Sequence, residues 1–278
     1  MPKAFVNGVN LYYEVTGKGY PLVLAHEFCS DLEFWDHQVR FLQRRYQVIT
    51  YNARGWPPSD MPESPSDYSW EHGVEDMYQL LRHLNIKEAY IGGLSLGGYV
   101  SLMFGMEHSE MAKGLILAAT GAGAFFDKEV RKEWERMQEI RAHEIETEGM
   151  RKLKDKIAQE ASRIQLRHKD PKGWERYYEA LGLHSDVGSA NTTRRFIIPR
   201  PPVYELEPKL KKIDLPAIIL TGDEDAPCLE PSIFMKRNMA NSGLVVFPKS
   251  GHTINVEEPE LFSWLLLDFM TSVDAENW

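Results

Sequence analysis

A chain of 278 residues, 43% apolar and 11% aromatic, can bury a substantial core, which excludes a wholly disordered chain. Its formal charge of -9 argues against unassisted binding to nucleic acid or to an anionic membrane surface, and leaves the content of any pocket open. Two cysteines, Cys29 and Cys228, make neither a disulfide framework nor a metal-ligand spacing, so reduced thiols are expected.

In chain order, "MPKAFVNGVN" lacks the apolar centre of a signal peptide. No apolar run is long enough to span a bilayer, since "LFSWLLLDFM" is short and carries a charge. A soluble, cytoplasmic protein with no membrane partner is the expectation. "LYYEV" (11–15) alternates as a half-exposed strand does. "PLVLAH" (21–26), "QVITYN" (47–52), "EAYIGG" (88–93), "GLILAA" (114–119), "PAIILTG" (216–222) and "GLVVFP" (243–248) are continuously apolar. Such runs suit strands of a parallel sheet covered on both faces. Helical patterns lie between them. "EHGVEDMYQLLRHLN" (71–85) sets Val74, Met77, Leu80, Leu81 and Leu84 on one stripe, with Asn85 as the stop, and "PELFSWLLLDFMTSV" (259–273) opens on proline. The alternation predicts an α/β fold.

From about Asp127 to Leu206 the strand rhythm stops. Residues 128–167 are charged and helical, with Gly149 as a joint, and "PKGWERYYEALGL" (171–183) is a second, aromatic-rich helical stretch. The simplest organisation is one core domain, residues 1–126 and 207–278, with a helical insertion at 127–206 between two late strands.

The stretch "GGLSLGG" (92–98) admits three readings. A phosphate loop requires Lys and Ser or Thr after its last glycine, where Gly98 and Tyr99 stand. A dinucleotide fingerprint counted from Gly93 requires glycine where Ser95 stands. The third is G-x-S-x-G, a serine on a sharp strand-to-helix turn whose flanking positions must be glycine for steric reasons. "EAYIGG" before and "GGYVSLMFGMEH" after supply the strand and the helix. A serine hydroxyl needs a base, and the base needs an orienting carboxylate. "LTGDEDAP" and "PKSGHTINVEEP" each follow an apolar strand, so Asp225 and His252 fall at strand C-termini in the order Ser, Asp, His.

These motifs resemble the α/β-hydrolase superfamily, in its branch of small serine esterases, enol-lactonases and C–C bond hydrolases. "YNARGWPPSD" resembles that family's D-x-R-G-x-G-x-S segment, "SGHTINVEEPELF" its histidine loop, and residues 127–206 its helical lid. The resemblance implies a mostly parallel eight-stranded sheet flanked by helices, no cofactor and no metal, and a small ester or lactone as substrate, in a monomer or homodimer. It assigns Ser95 as nucleophile, His252 as base and then acid, and Asp225, rather than Asp223 or Glu224, as the orienting acid. Backbone N–H groups of Leu96 and Phe28 would form the oxyanion hole.

Some positions depart from the pattern. Glu27 replaces the glycine after His26, which implies either another loop conformation or strain, with the carboxylate turned aside into a polar network. Asn52 and Pro57 replace Asp and Gly in a segment read as a supporting turn. His26 is expected to be structural, and Cys29, beside the oxyanion loop, a buried and inert thiol. Trp134, Trp174, Tyr177 and Tyr178 line a pocket under the lid or hold lid to core. Arg194 and Arg195 are read as surface charge in preference to partners of a substrate carboxylate. Serine as nucleophile argues against dehalogenase or epoxide-hydrolase chemistry, and Leu96 against a proline-type aminopeptidase. Thr253 and Gly92-Gly93-Leu94 fit C–C hydrolases poorly. That activity, and a small-molecule receptor of the same fold, stand as the alternatives.

Overall fold

The apolar runs of the sequence lie side by side in one sheet of eight strands in the computed structural model, which describes residues 2–278. They are β1 (Lys3–Val6), β2 (Val9–Thr16), β3 (Tyr20–Ala25), β4 (Tyr46–Tyr51), β5 (Ala89–Leu94), β6 (Ala112–Ala118), β7 (Ala217–Gly222) and β8 (Ser242–Phe247). Their spatial order is β1-β2-β4-β3-β5-β6-β7-β8, parallel except where β2 meets β1 and β4. Between β3 and β5 the winding direction reverses, and ligands in open α/β sheets settle outside the strand C-termini at such a point.

Core helices are α1 (Asp36–Leu42), α2 (Trp70–His83) and α3 (Leu96–Glu107). The segment between β6 and β7 holds α4 (Lys128–Glu148), α5 (Met150–Ala158), α6 (Ile164–Lys169), α7 (Pro171–Leu181), α8 (Asp186–Thr192) and α9 (Glu207–Leu210), and no strand. Three more follow: α10 (Ala226–Asn238), α11 (Ile254–Glu257) and α12 (Pro259–Asp274).

The period-two alternation of each strand splits the core into two layers. Leu22 and Leu24 of β3 pack with Trp35, Leu42, Phe262, Leu266 and Phe269 of the α1/α12 side. Val23 and Ala25 face the α2/α3 side with Met77, Leu80, Tyr99 and Phe104. The α2 stripe is buried as its periodicity predicts, Ser69 caps it by accepting from His72 N–H, and Asn85 ends it in the left-handed region at φ 57. Gly149 separates α4 from α5 at φ 83, where a side chain is strained.

β1, which has no long apolar run to announce it, completes the expected eight strands by pairing antiparallel with β2. One expectation changes. β8, read as covered on both faces, is the edge strand, so its residues are half-buried and Val246 is 41% exposed. Among the described residues no helix is long and apolar enough to cross a membrane.

Candidate active site

Ser95 joins β5 to α3 with φ 55 and ψ -107, a conformation few residues other than glycine adopt. Its N–H donates to Ala118 O at 2.8 Å. The turn is so tight that a Cβ on Gly93 would lie 2.3 Å from the Gly97 carbonyl carbon, and one on Gly97 would lie 2.2 Å from Ala25 O. Both glycines are therefore steric requirements of the bend. Ser95 is partly exposed, and its hydroxyl makes no hydrogen bond among the described residues.

Asp225 follows β7 and His252 follows β8. Both are buried, and His252 Nδ1 lies 2.7 Å from Asp225 Oδ2. A Cβ on Gly222 would lie 2.1 Å from Ser250 O, which explains how the two loops approach so closely. Asp223 and Glu224 are exposed, and Asp223 instead accepts Ser250 N–H. Burial pushes the His252 pKa down, but the charge and hydrogen bond of Asp225 outweigh it, and the net shift is upward. Cys228, which the sequence did not connect to this place, links the loops. Its Sγ donates to Ala119 O at 3.1 Å and lies 3.9 Å from His252 Nδ1. Since Ala118 holds Ser95 N–H and the adjacent Ala119 holds Cys228 Sγ, this path of contacts links the serine's turn to the Asp225–His252 pair. The thiol, imidazole and carboxylate donor atoms lie within 4.8 Å of one another, a set a soft divalent ion can bridge. Nδ1 and Oδ2 are here committed to each other.

The alpha/beta hydrolase fold family model matches residues 20–259. The chain belongs to the α/β-hydrolase family. It is 26% identical to 3-oxoadipate enol-lactonase 1 of Acinetobacter baylyi over 257 residues, covering 91% of this chain and 89% of the relative. Among solved structures, the enol-lactonase from Burkholderia xenovorans superposes with a TM-score of 0.85 at 25% identity, covering 97% of this chain and 100% of that one. A thermophilic esterase from Thermogutta terrifontis gives 0.84 at 26% identity, covering 98% of each chain.

Around the triad candidates, this α/β hydrolase is braced by groups with visible partners. Leu96 opens α3, and neither its N–H nor that of Phe28 has an acceptor among the described residues. The loop carrying Phe28 is clamped. Gly97 N–H donates to His26 O at 3.1 Å, and Trp56 Nε1 donates to Phe28 O at 3.2 Å. His26 Nε2 accepts Ala53 N–H at 3.0 Å, so the proton sits on Nδ1 and donates to Glu27 O at 2.7 Å. Burial holds the His26 pKa at about 4, which keeps the ring neutral. Glu27 lies outside the left-handed region and carries no backbone strain. Its carboxylate turns aside to Arg163 with two bonds of 2.8 Å, while Arg163 also reaches Tyr177 Oη at 3.0 Å. Burial alone would raise the Glu27 pKa; the charge and bonds of Arg163 reverse that and hold it at about 2.

Cys29 is buried, and its thiol is pushed up to about 12 by burial. Asn52 accepts Leu32 N–H at 2.9 Å, and Arg54 holds the buried Asp76, so their segment is a supporting turn. The four aromatic residues do not converge on a common pocket. Tyr177 is buried against Phe34 and bonded to Arg163, whereas Trp174 and Tyr178 stack on each other. Trp134 covers Gly123 and Phe125. They join helices to one another and to the core.

Sequence reasoning missed Glu257, which accepts Gly251 N–H at 2.6 Å, Thr253 N–H at 3.0 Å and the Thr253 hydroxyl at 2.9 Å, fixing the His252 loop. It also missed Ser162, whose carbonyl accepts His252 N–H at 2.6 Å. Ser162 belongs to no motif and acts through tertiary approach, whereas Glu257 lies within the histidine loop itself and binds groups four and six residues away. A cavity of about 30 Å³, room for a water molecule or two, lies behind the elbow between Leu96, Gly97, His26, Trp56 and Phe196.

Proposed function

We propose that the chain is a serine hydrolase that cleaves a small carboxylic ester or lactone through an acyl-enzyme. The single observation that carries this reading is the 2.7 Å His252–Asp225 contact in a fold whose strand-to-helix turn holds a serine at φ 55. Asp225 keeps the proton on His252 Nδ1, which leaves Nε2 free to accept the Ser95 proton as Oγ attacks the carbonyl. The freed N–H groups of Leu96 and Phe28 receive the developing oxyanion, and being fixed beforehand they cost no reorganisation in the transition state. His252 then protonates the leaving group. Water activated by the same imidazole releases the acid. The Ser95 hydroxyl rotates towards His252 when substrate enters, since hydrogen bonds of unliganded sites commonly tighten only in the complex.

Residues 127–206 act as the lid of this site, and Glu27 does not disarm it because Arg163 neutralises its charge. The enol-lactonase and esterase relatives support the ester or lactone class. The test is labelling with a fluorophosphonate and mapping of the adduct. Labelling at Ser95, lost in Ser95→Ala, is expected, with turnover of short-chain para-nitrophenyl esters. A folded protein that neither labels nor turns over such esters would refute the proposal.

A further inference from the structure

Three arginines are buried to the same degree, Arg54, Arg163 and Arg200, each 6% exposed. Two have carboxylate partners. Arg54 holds Asp76 with bonds of 2.7 and 2.6 Å, and Arg163 holds Glu27 with two of 2.8 Å. Arg200 has none. Among the described residues no carboxylate lies within 4.0 Å of its guanidinium, and its sole side-chain hydrogen bond runs from Nη2 to Ala122 O at 2.6 Å. A buried cation without a counter-charge is costly, and this protein avoids it at both comparable positions.

What surrounds Arg200 orients it without neutralising it. The ring of Tyr99 lies 5.0 Å from the guanidinium carbon, and the Tyr99 hydroxyl is bound to Pro201 O at 2.8 Å. A cation–π contact of this kind fixes the plane of the guanidinium and supplies no negative charge. The nearby Arg131 is itself paired, with Glu135. Burial lowers the Arg200 pKa to about 10, so the side chain is still charged at neutral pH. Its Nε and Nη1 have no acceptor among the described residues, and neither is sealed from solvent. Two donors are thus open on a rigid, charged group.

The position ties Arg200 to the candidate active site. Tyr99 N–H donates to Ser95 O at 2.9 Å, so the residue whose ring lies under the guanidinium is one helical turn after the serine in α3. Ala122 lies four residues past Ala118, the residue that holds Ser95 N–H. Arg194 and Arg195, the arginines that stood out in the sequence, are elsewhere. Arg194 pairs with Glu139 and Glu146, and Arg195 is exposed.

We infer that Arg200 receives an anionic group of the substrate through an open donor of its guanidinium, and that the substrate is an ester or lactone bearing a free carboxylate. This rests on the hydrolase reading of Ser95. Nε and Nη1 open to different sides of the guanidinium, so a carboxylate binds at one of them, and its charge supplies what the fold withholds.

The experiment compares mono-para-nitrophenyl glutarate with para-nitrophenyl valerate, which has the same chain length and no charge. The wild-type protein should favour the glutarate ester by about tenfold or more in kcat/KM. Arg200→Met should lower kcat/KM for that ester by about 10- to 100-fold, chiefly through KM, and leave the valerate ester within about twofold. Arg200→Lys should retain part of the preference. A wild-type preference for valerate, or an equal loss on both esters in Arg200→Met, would overturn the inference. Should Arg200→Met not fold, the wild-type preference and Arg200→Lys decide it. If folded wild-type protein turns over neither ester, the hydrolase reading fails by itself. Calorimetric titration with glutarate then judges the anion site: saturable binding weakened in Arg200→Lys supports it, and no binding to the wild type overturns it.

Discussion

Ser95 sits in a backbone conformation that costs on the order of 1–3 kcal/mol, and the neighbours that impose it are glycines with no room for a Cβ. The hydroxyl is thereby set at the end of β5, and the next backbone N–H, that of Leu96, is left without an acceptor. His252 supplies the pH dependence. Only the neutral ring accepts the serine proton, so activity should rise with pH through the His252 pKa. Asp225 sets that acid limb above the ordinary 6.5, against the opposing effect of burial. Asp225→Asn keeps the shape but removes the charge and favours the wrong tautomer. We expect kcat to fall by about 10,000-fold and the acid limb to move down, read from a kcat/KM profile on a short-chain ester. A variant with near-normal kcat and an unmoved limb would exclude the assigned role of Asp225.

Between elements, the Glu27–Arg163 pair ties the loop after β3 to the turn before α6, one residue from the carbonyl of Ser162 that holds His252 N–H. The glutamate that looks out of place in "AHEFCSD" thus makes sense only with a residue 136 positions away. Because its folded pKa lies at about 2, below the ordinary 4.5, the pair's contribution to stability is complete above 4.5 and is lost as pH falls towards 2. Glu27→Gln leaves the buried Arg163 with only the half-exposed Glu160, 3.8 Å from its Nε, as counter-charge. It should destabilise the protein by about 3–5 kcal/mol in denaturant melts at neutral pH, whereas Glu27→Gln with Arg163→Met should recover much of the loss. Equal losses in single and double variants would show that the pair is not the source.

For the molecule as a whole, stability rests on a sheet packed on both faces. Ile116, at the centre of β6 and fully buried, fills the space that Gly92 leaves beside Leu24. Ile116→Ala should cost about 2–5 kcal/mol and lower Tm by roughly 5–15 °C in a calorimetric scan. A change below about 1 kcal/mol would mean that the layer collapses around the gap.

The sequence by itself determined most of the strands that bury both faces, the α2 stripe, the break at Gly149 and the elbow, along with the order of serine, acid and histidine. Each depends on residues within a few positions of one another: apolar runs, periodicity, and glycines that a tight turn requires. Which acid of "GDED" faces His252 was open in the residues themselves; in the fold it is the buried Asp225, whose Oδ2 lies 2.7 Å from His252 Nδ1. Only the tertiary structure decided that β8 is an edge, that Glu257 and Ser162 brace His252, and that Cys228 lies against it. It alone separated paired Arg54 and Arg163 from unpaired Arg200. The physical reason is that burial and ion pairing depend on what long-range packing brings opposite a side chain, and no local pattern of residues encodes that partner.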